Sequence, residues 1–201
     1  LHQRVRRQRQ MCIRDRVSGE IVEINRGEKR KILEIKIKAD GANQFESFKQ
    51  GDPNTMSRED IVDNMLQSGV WPFVRQRPYD IVANPDDMPK AIHITAMDTA
   101  PLAPDYGFMV HGQGDVFQAG LDALAKLTEG KVHLNITGNS NADEAFTGAK
   151  NVQINKVAGP HPAGNVGIQV HHIDPVNKGE VVWVLRAPDV LTIGRLFKEG
   201  K

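Results

Sequence analysis

The chain has 201 residues, with 26 Lys and Arg against 25 Asp and Glu and an apolar share of 39%, an ordinary composition for a globular protein of one or two domains. No apolar run approaches the ~18 residues needed to cross a bilayer, and no apolar stretch follows the basic start, so neither a membrane span nor a secretory signal is expected. The single cysteine, Cys12, lies near the start, which leaves the body without disulfides or cysteine-built zinc or iron–sulfur sites and fits a cytosolic setting.

The first segment is LHQRVRRQRQMCIRDR. Setting aside its six arginines and Asp15 leaves 20 basic and 24 acidic residues, a net of −4. The positive charge therefore belongs to the head and not to a folded face, as a nucleic-acid binder would need. Residues 1–16 read as disordered, and RQRQMCIRD resembles translated adapter sequence, an artefactual head. The body is expected to begin near Val17, inside a domain.

VSGEIVEINRGEKRKILEIKIKAD alternates apolar and polar residues, with Ile21, Ile24, Leu33, Ile35 and Ile37 as the apolar members. It predicts a hairpin with strands near 19–24 and 31–38 and a turn at Asn25-Arg26-Gly27. A lone two-stranded hairpin is marginal, so this one is expected to be the remnant of a larger sheet. Residues 40–56 read as a connector, which makes 17–56 the first folded region. Ser57 opens a helix with Asp60 in the capping position, a stripe of Ile61, Val62, Met65 and Leu66, and Gly69 as its stop. WPFVRQRP (71–78) reads as irregular, and 57–89 as a helical linker into an α/β domain that runs to residue 201.

Within that domain the pattern predicts a strand near 91–96, a short strand or extended stretch at FMVHG (108–112), and a helix over DVFQAGLDALAKLT ended by Gly130. KVHLNITG gives the next strand, completing a right-handed crossover unit. A polar loop over 139–150 leads to a strand at NVQINKVAG. HPAGNVGIQVHHI reads as a helix with Pro162 at its first position and Val166, Val170 and Ile173 on one face. EVVWVLRA is a strand, and PDVLTIGRLFKEG a helix with Pro188 and Asp189 in its first turn and Lys198 in its last.

Several stretches invite chemistry. Gly112 and Gly114 precede a helix, but Gly120 falls too late for a dinucleotide fingerprint, and Asp115 stands where phosphate would sit. His161, His171, His172 and Asp174 lack metal-ligand spacing, since adjacent helical residues point about 100° apart; no metal is expected. His93 and His133 fall within strands as packed or half-exposed residues. GPHPAGNVG (159–167) reads either as a ligand-facing loop, with Gly159, Pro160, His161 and Gly164, or as tight helix–sheet packing. WPFVRQRPYD offers Arg75 and Arg77 beside Trp71, Phe73 and Tyr79, suited to a ring ligand or partner subunit, or to plugging a small core in a linker. No nucleophile elbow, P-loop or acid–base pair is visible.

Six strings occur in one order: VSGEIVEINRGEKR, SGVWPFVRQRP, AMDTAPLAP, FQAGLDAL, GPHPAGNVG and DVLTIGRLF. Together they resemble the A-type subunit of the bacterial sodium-translocating NADH:quinone reductases over roughly residues 17–201. The C-type subunit of the electron-transport complex is a weaker match, since its cysteine-rich cluster motifs are absent. The resemblance implies the end of a truncated barrel-sandwich, lipoyl-like domain followed by a Rossmann-like α/β domain, as an internal fragment of a longer polypeptide. It implies a peripheral translocase subunit on the cytoplasmic side of the inner membrane, in a complex that passes electrons from NADH to ubiquinone and exports sodium. Flavins and a 2Fe–2S cluster would sit in partner subunits, with no cofactor in this chain. The broken glycine pattern agrees with a missing flavin. The family's link to quinone implies candidates at Arg75, Arg77, Pro78 and Tyr79; a quinone head needs a flat apolar wall and a donor for each carbonyl. The alternative is a non-catalytic scaffold that docks the other subunits.

Overall fold

The computed structural model describes residues 18–42, 47–138 and 142–200. It forms two compact units, one ending at Ser47 and one beginning at Phe48. The expectations for residues 1–16 and for the first part of the 139–150 loop lie outside the described residues; the later part of that loop holds a short helix, α4 (Glu144–Thr147).

The first unit is an antiparallel hairpin of β1 (Gly19–Arg26) and β2 (Ile32–Ala39), with Ile24 opposite Ile35. Its turn lies later than Asn25-Arg26-Gly27. Asn25 and Arg26 stay in the ladder, and the Asn25 amide donates to Glu34 Oε2 at 2.8 Å. Glu28–Arg30 form a 3₁₀ turn instead, closed by Gly27 N–H to the Lys31 carbonyl at 2.8 Å. None of its described residues is buried.

In the second unit the residues from Phe48 onward are not a connector. Phe48 N–H donates to the Gly200 carbonyl and Gly51 N–H to that of Phe197, which seats them on the C-terminal helix. Helix α1 (Arg58–Ser68) has the predicted ends: Ser57 Oγ accepts from Asp60 N–H at 3.1 Å, and Gly69 takes φ 82°. Ile61, Val62 and Met65 are buried, and Leu66 is half-buried against the same core.

WPFVRQRP is largely regular. Trp71–Phe73 make a 3₁₀ turn, and Arg75–Arg77 form strand β3, which β4 (Ile81–Val82) joins antiparallel. β5 (Ala91–Thr95), β6 (Lys131–Thr137), β7 (Gln153–Val157) and β8 (Val182–Arg186) complete a six-stranded sheet of order β4-β3-β8-β5-β6-β7. β8, β5, β6 and β7 are parallel, and β3 runs antiparallel to β8. The segment 57–89 is therefore part of the α/β fold, not a linker. The chain runs outward from β5 to β7 and returns with β8 on the other side of β5. That reversal places the strand ends of β5 and β8 around a crevice.

The register assigns each residue to a face. Ile92, Ile94, Leu134, Trp183 and Leu185 share one face, where α3 (Gly114–Ala125) and α6 (Ala187–Glu199) cover them with Phe117, Leu121, Leu124, Val190, Ile193 and Phe197. A Cβ on Gly120 would lie 2.2 Å from the Val190 carbonyl oxygen, and one on Gly194 1.9 Å from that of Val116. Only glycine lets these two helices come so close. The opposite face carries Ala91, Val182 and Val184 under α5 (Val166–Ile173), with Val170 as the buried contact.

Three local expectations give way to tertiary context. FMVHG lies mostly in helix α2 (Tyr106–Val110), because Asp105 caps it, accepting from Gly107 and Phe108 N–H. Pro162 does not open a helix; residues 161–164 are a turn and α5 begins at Val166, with Val170 buried and Val166 and Ile173 half-buried. Gly130 does not end α3, which stops at Ala125. Its missing side chain makes room for the Lys90 carbonyl, 1.8 Å from where a Cβ would sit.

Candidate functional site

A cavity of about 700 Å³ opens at the carboxyl ends of β5 and β8. Thr95 and Asp98 come from the end of β5, Arg186 and Asp189 from the junction of β8 with α6, Tyr106 from α2, and Gly164 to Ile168 from the loop entering α5. Arg75 and Arg77 on β3 reach it because they pair with Val184 and Val182 of β8 and so share its face. Pro72, Phe73, Val166, Ile168 and Leu185 supply apolar wall.

The arginine–aromatic segment divides. Arg75 and Arg77 line the cavity, but Asp80 partly neutralises both. Arg75 donates to the Asp80 carbonyl and lies 3.5 Å from Oδ1, and Arg77 Nη2 lies 3.7 Å from that same oxygen. Pro78 and Tyr79 are outside the lining, and Tyr79 is 80% exposed.

The glycine–proline loop divides too. Gly164 is buried in the lining, whereas Pro160 and His161 are exposed and Gly159 is half-buried. Thr99 Oγ1 fixes the loop, accepting from Gly164 N–H at 2.9 Å and meeting His161 Nδ1 at 3.2 Å. A Cβ at position 164 would stand 2.4 Å from Thr99 N, so the close backbone approach is loop against loop.

Sequence reasoning missed Tyr106 and Arg186. Tyr106 is 5% exposed, and burial pushes its phenol above the ordinary value, opposed by the Arg186 charge and reinforced by Asp98 and Asp189. Burial likewise raises Asp189, while the Arg186 N–H and guanidinium favour its charged form. Neither the Tyr106 hydroxyl nor the Arg186 guanidinium has a hydrogen bond or ion pair among the described residues. A neutral phenol donor and an exposed guanidinium that is electrostatically coupled to Asp189 thus stand together beside an apolar wall. The one available signal was position: RAPD follows a buried strand directly into a helix, where open α/β sheets present ligand-binding groups.

A mixed sheet with helices on both faces, and a cavity at the strand ends where chain order reverses, defines an α/β domain of the doubly wound kind. A family model described as the NqrA second alpha/beta domain matches residues 56–201, and one described as the NqrA N-terminal barrel-sandwich hybrid domain matches residues 4–40. The chain belongs to the NqrA family, with a barrel-sandwich region preceding the Rossmann-like domain, as the resemblance implied. The barrel-sandwich match begins at residue 4, within the segment set apart above as a head.

The chain is similar to the A-type subunit of the Na(+)-translocating NADH-quinone reductase of Saccharophagus degradans, 39% identical over 186 residues, 92% of this chain and 41% of the relative. The proteins of that name from Yersinia pestis bv. Antiqua and Pseudomonas aeruginosa are 39% identical over 188 residues and 41% over 187, with those same shares of each chain covered. The chain spans about two fifths of the length of these curated relatives.

Proposed function

We propose that this chain works as part of a peripheral subunit of a sodium-pumping NADH:ubiquinone reductase, and that the cavity at the β5 and β8 ends accepts the quinone ring. Family membership and the relatives' names support the complex. Among the described residues no helix is long and apolar enough to cross a membrane, which is consistent with attachment through other subunits. In this reading the subunit faces the cytoplasm, and NADH, flavins and the 2Fe–2S cluster belong to its partners.

The observation that carries the quinone reading is the pairing of two donors, Tyr106 and Arg186, with the wall of Phe73, Val166, Ile168 and Leu185. Quinone carbonyls only accept hydrogen bonds, so each needs such a donor, and the ring needs apolar contact. Arg75 and Arg77 border the mouth, restrained by Asp80.

Titration with a short-chain ubiquinone, followed by tryptophan fluorescence, tests this. Saturable binding is expected, with Tyr106→Phe and Arg186→Gln each weakening it by about tenfold, as loss of one useful hydrogen bond implies. Tyr79→Phe should leave it unchanged; the reverse pattern would return the site to the 75–79 segment. A second reading, a scaffold that only docks partner subunits, is favoured by exposed Leu102, Phe108 and Met109 around α2. It predicts no saturable quinone binding.

A further inference from the structure

The parallel sheet carries an unusual polar row on its α5 face. His93 of β5 and His133 of β6 are register partners with rings stacked 4.5 Å apart at 10°. Both are buried. His93 is 0% exposed, and neither of its ring nitrogens has a hydrogen-bond partner. Buried polar nitrogens are normally paired, so two orphans on one imidazole require an explanation. Asp174, the residue that ends α5, brings its carboxylate to this pair, and one donor atom from each of the three lies within 4.8 Å of the others.

We propose that His93, His133 and Asp174 form a binding site for a divalent cation of the zinc class. Two imidazoles and one carboxylate are the donor set such ions take, with a fourth position left for water or another ligand. Burial holds His93 neutral, pushing it down to about 4, and lowers His133 as well, which keeps the lone pairs available near neutral pH. The surroundings are close to neutral. Lys90 Nζ bridges Asp174 Oδ1 at 2.7 Å and Glu180 Oε2 at 3.1 Å, and Lys131 acts on His133, so the two carboxylates balance the two ammonium groups and an arriving cation meets no net positive charge.

Three adjustments follow from the geometry. Donors around a tetrahedral zinc stand about 3.4 Å apart, so the cluster must contract, and because the lone pairs of stacked rings run parallel, one imidazole must turn out of the stack for both nitrogens to face one ion. Asp174 can supply its own part of the movement, since it lies at a helix end with its side chain 29% exposed. The Asn155 amide must also give way. Its Nδ2 donates to His133 Nδ1 at 3.2 Å and to Asn135 Oδ1 at 2.9 Å. If His133 Nδ1 takes the ion, Asn155 leaves it; if Nε2 does, the ring proton moves to Nδ1 and the amide turns its oxygen there, giving up its bond to Asn135 Oδ1 as well. One or two neutral amide contacts are exchanged for bonds to a metal. Asp174 was weighed in the sequence with His161, His171 and His172, but the fold brings it to two histidines 40 residues apart, a pairing that only strand register reveals.

The test uses the metal-stripped 201-residue chain. Cobalt(II) is added in equivalents, and tetrahedral coordination is read from its visible absorption, with zinc as competitor. One equivalent should saturate the signal. Asp174→Asn should weaken binding by about tenfold or more, and His133→Gln further, while the exposed pair changed by His171→Ala and His172→Ala should bind as before. No saturable tetrahedral spectrum, a spectrum that survives Asp174→Asn, or one lost with His171 and His172 would each overturn the assignment. Circular dichroism monitors folding; should His133→Gln unfold, the surface variant Asp174→Asn decides alone.

Discussion

The two faces of the six-stranded sheet are built from the same strands and solve burial in opposite ways. One presents Ile92, Ile94, Leu134, Ile136, Trp183 and Leu185 to two long helices. The other presents His93, Thr95, His133 and Asn135, all buried, toward a single eight-residue helix. Parallel strands covered on both sides ordinarily read as continuous apolar runs; these alternate. Area removed from water stabilises the first face, at roughly 25 cal/mol per Å². The second combines a small apolar patch of Ala91, Val170, Val182 and Val184 with hydrogen bonds, each of which is worth about 1 kcal/mol net but costs more when left half-made. The difference separates two tasks. The apolar face anchors the domain, so the polar face can carry the cavity groups and the histidine pair.

Breaking the anchor should have the largest effect. Trp183 is 0% exposed and meets Trp71 edge-on at 5.5 Å, while Trp71 Nε1 donates to the Ala83 carbonyl. Trp183→Ala should lower unfolding stability by about 3–5 kcal/mol in urea titrations, the cost of emptying a large aromatic site. Acid should act next, through the polar face. Burial above all, then the neighbouring His133, pushes His93 down from 6.5 to about 4. Between those values the unfolded chain takes up a proton that the native state refuses, so stability falls as pH falls through this window. The loss levels off near about 3 kcal/mol, and His133 adds to it with the same sign. At the acid end of the window Asp189, raised above 3.8 by burial, works in the opposite sense, while Glu180, held below 4.5 chiefly by the Asn177 N–H, adds to the fall, and Asp143, held low mainly by His111, gives way below 3.8. Urea midpoints of the metal-free chain from pH 7 to 4 should show the fall, and His93→Leu should flatten most of it.

What the sequence made legible follows the same division. Elements with local signals were readable: the hairpin by alternation, α1 by Ser57, Asp60 and Gly69, and α6 by Pro188 and Asp189. β3 was not, because three polar residues become a strand only by pairing with β8. α2 was not, because FMV suits a strand and Gly107 is a poor helix former, so the cap at Asp105 decides. The candidate site was half legible. Arg75, Arg77 and Gly164 do line the cavity, but which tyrosine faces it depends on burial, and Tyr79 and Tyr106 do not differ in sequence in any way that reveals it.

The smallest effect comes from within the polar face. The Gln169 amide donates to the Ala163 carbonyl at 3.1 Å, Asn135 donates to Gln169 Oε1 at 3.1 Å, and Asn155 donates to Asn135 Oδ1 at 2.9 Å. Because a backbone carbonyl can only accept, it orients every amide in the chain, out to the Asn155 N–H that meets His133. Asn135→Ala removes the middle link and strands the Gln169 Oε1 acceptor, while Asn155 Nδ2 keeps its contact with His133, at a cost of about 1–3 kcal/mol. Gln169→Leu removes the next group and by itself strands the Asn135 amide and the Ala163 carbonyl. If the chain acts as a unit, the double variant should lose less than the sum of the two, since the second change deletes a group the first has already orphaned. Strict additivity in that cycle would mean the amides are satisfied independently, and the polar face would then have no orientation to pass from the cavity loop to the histidines.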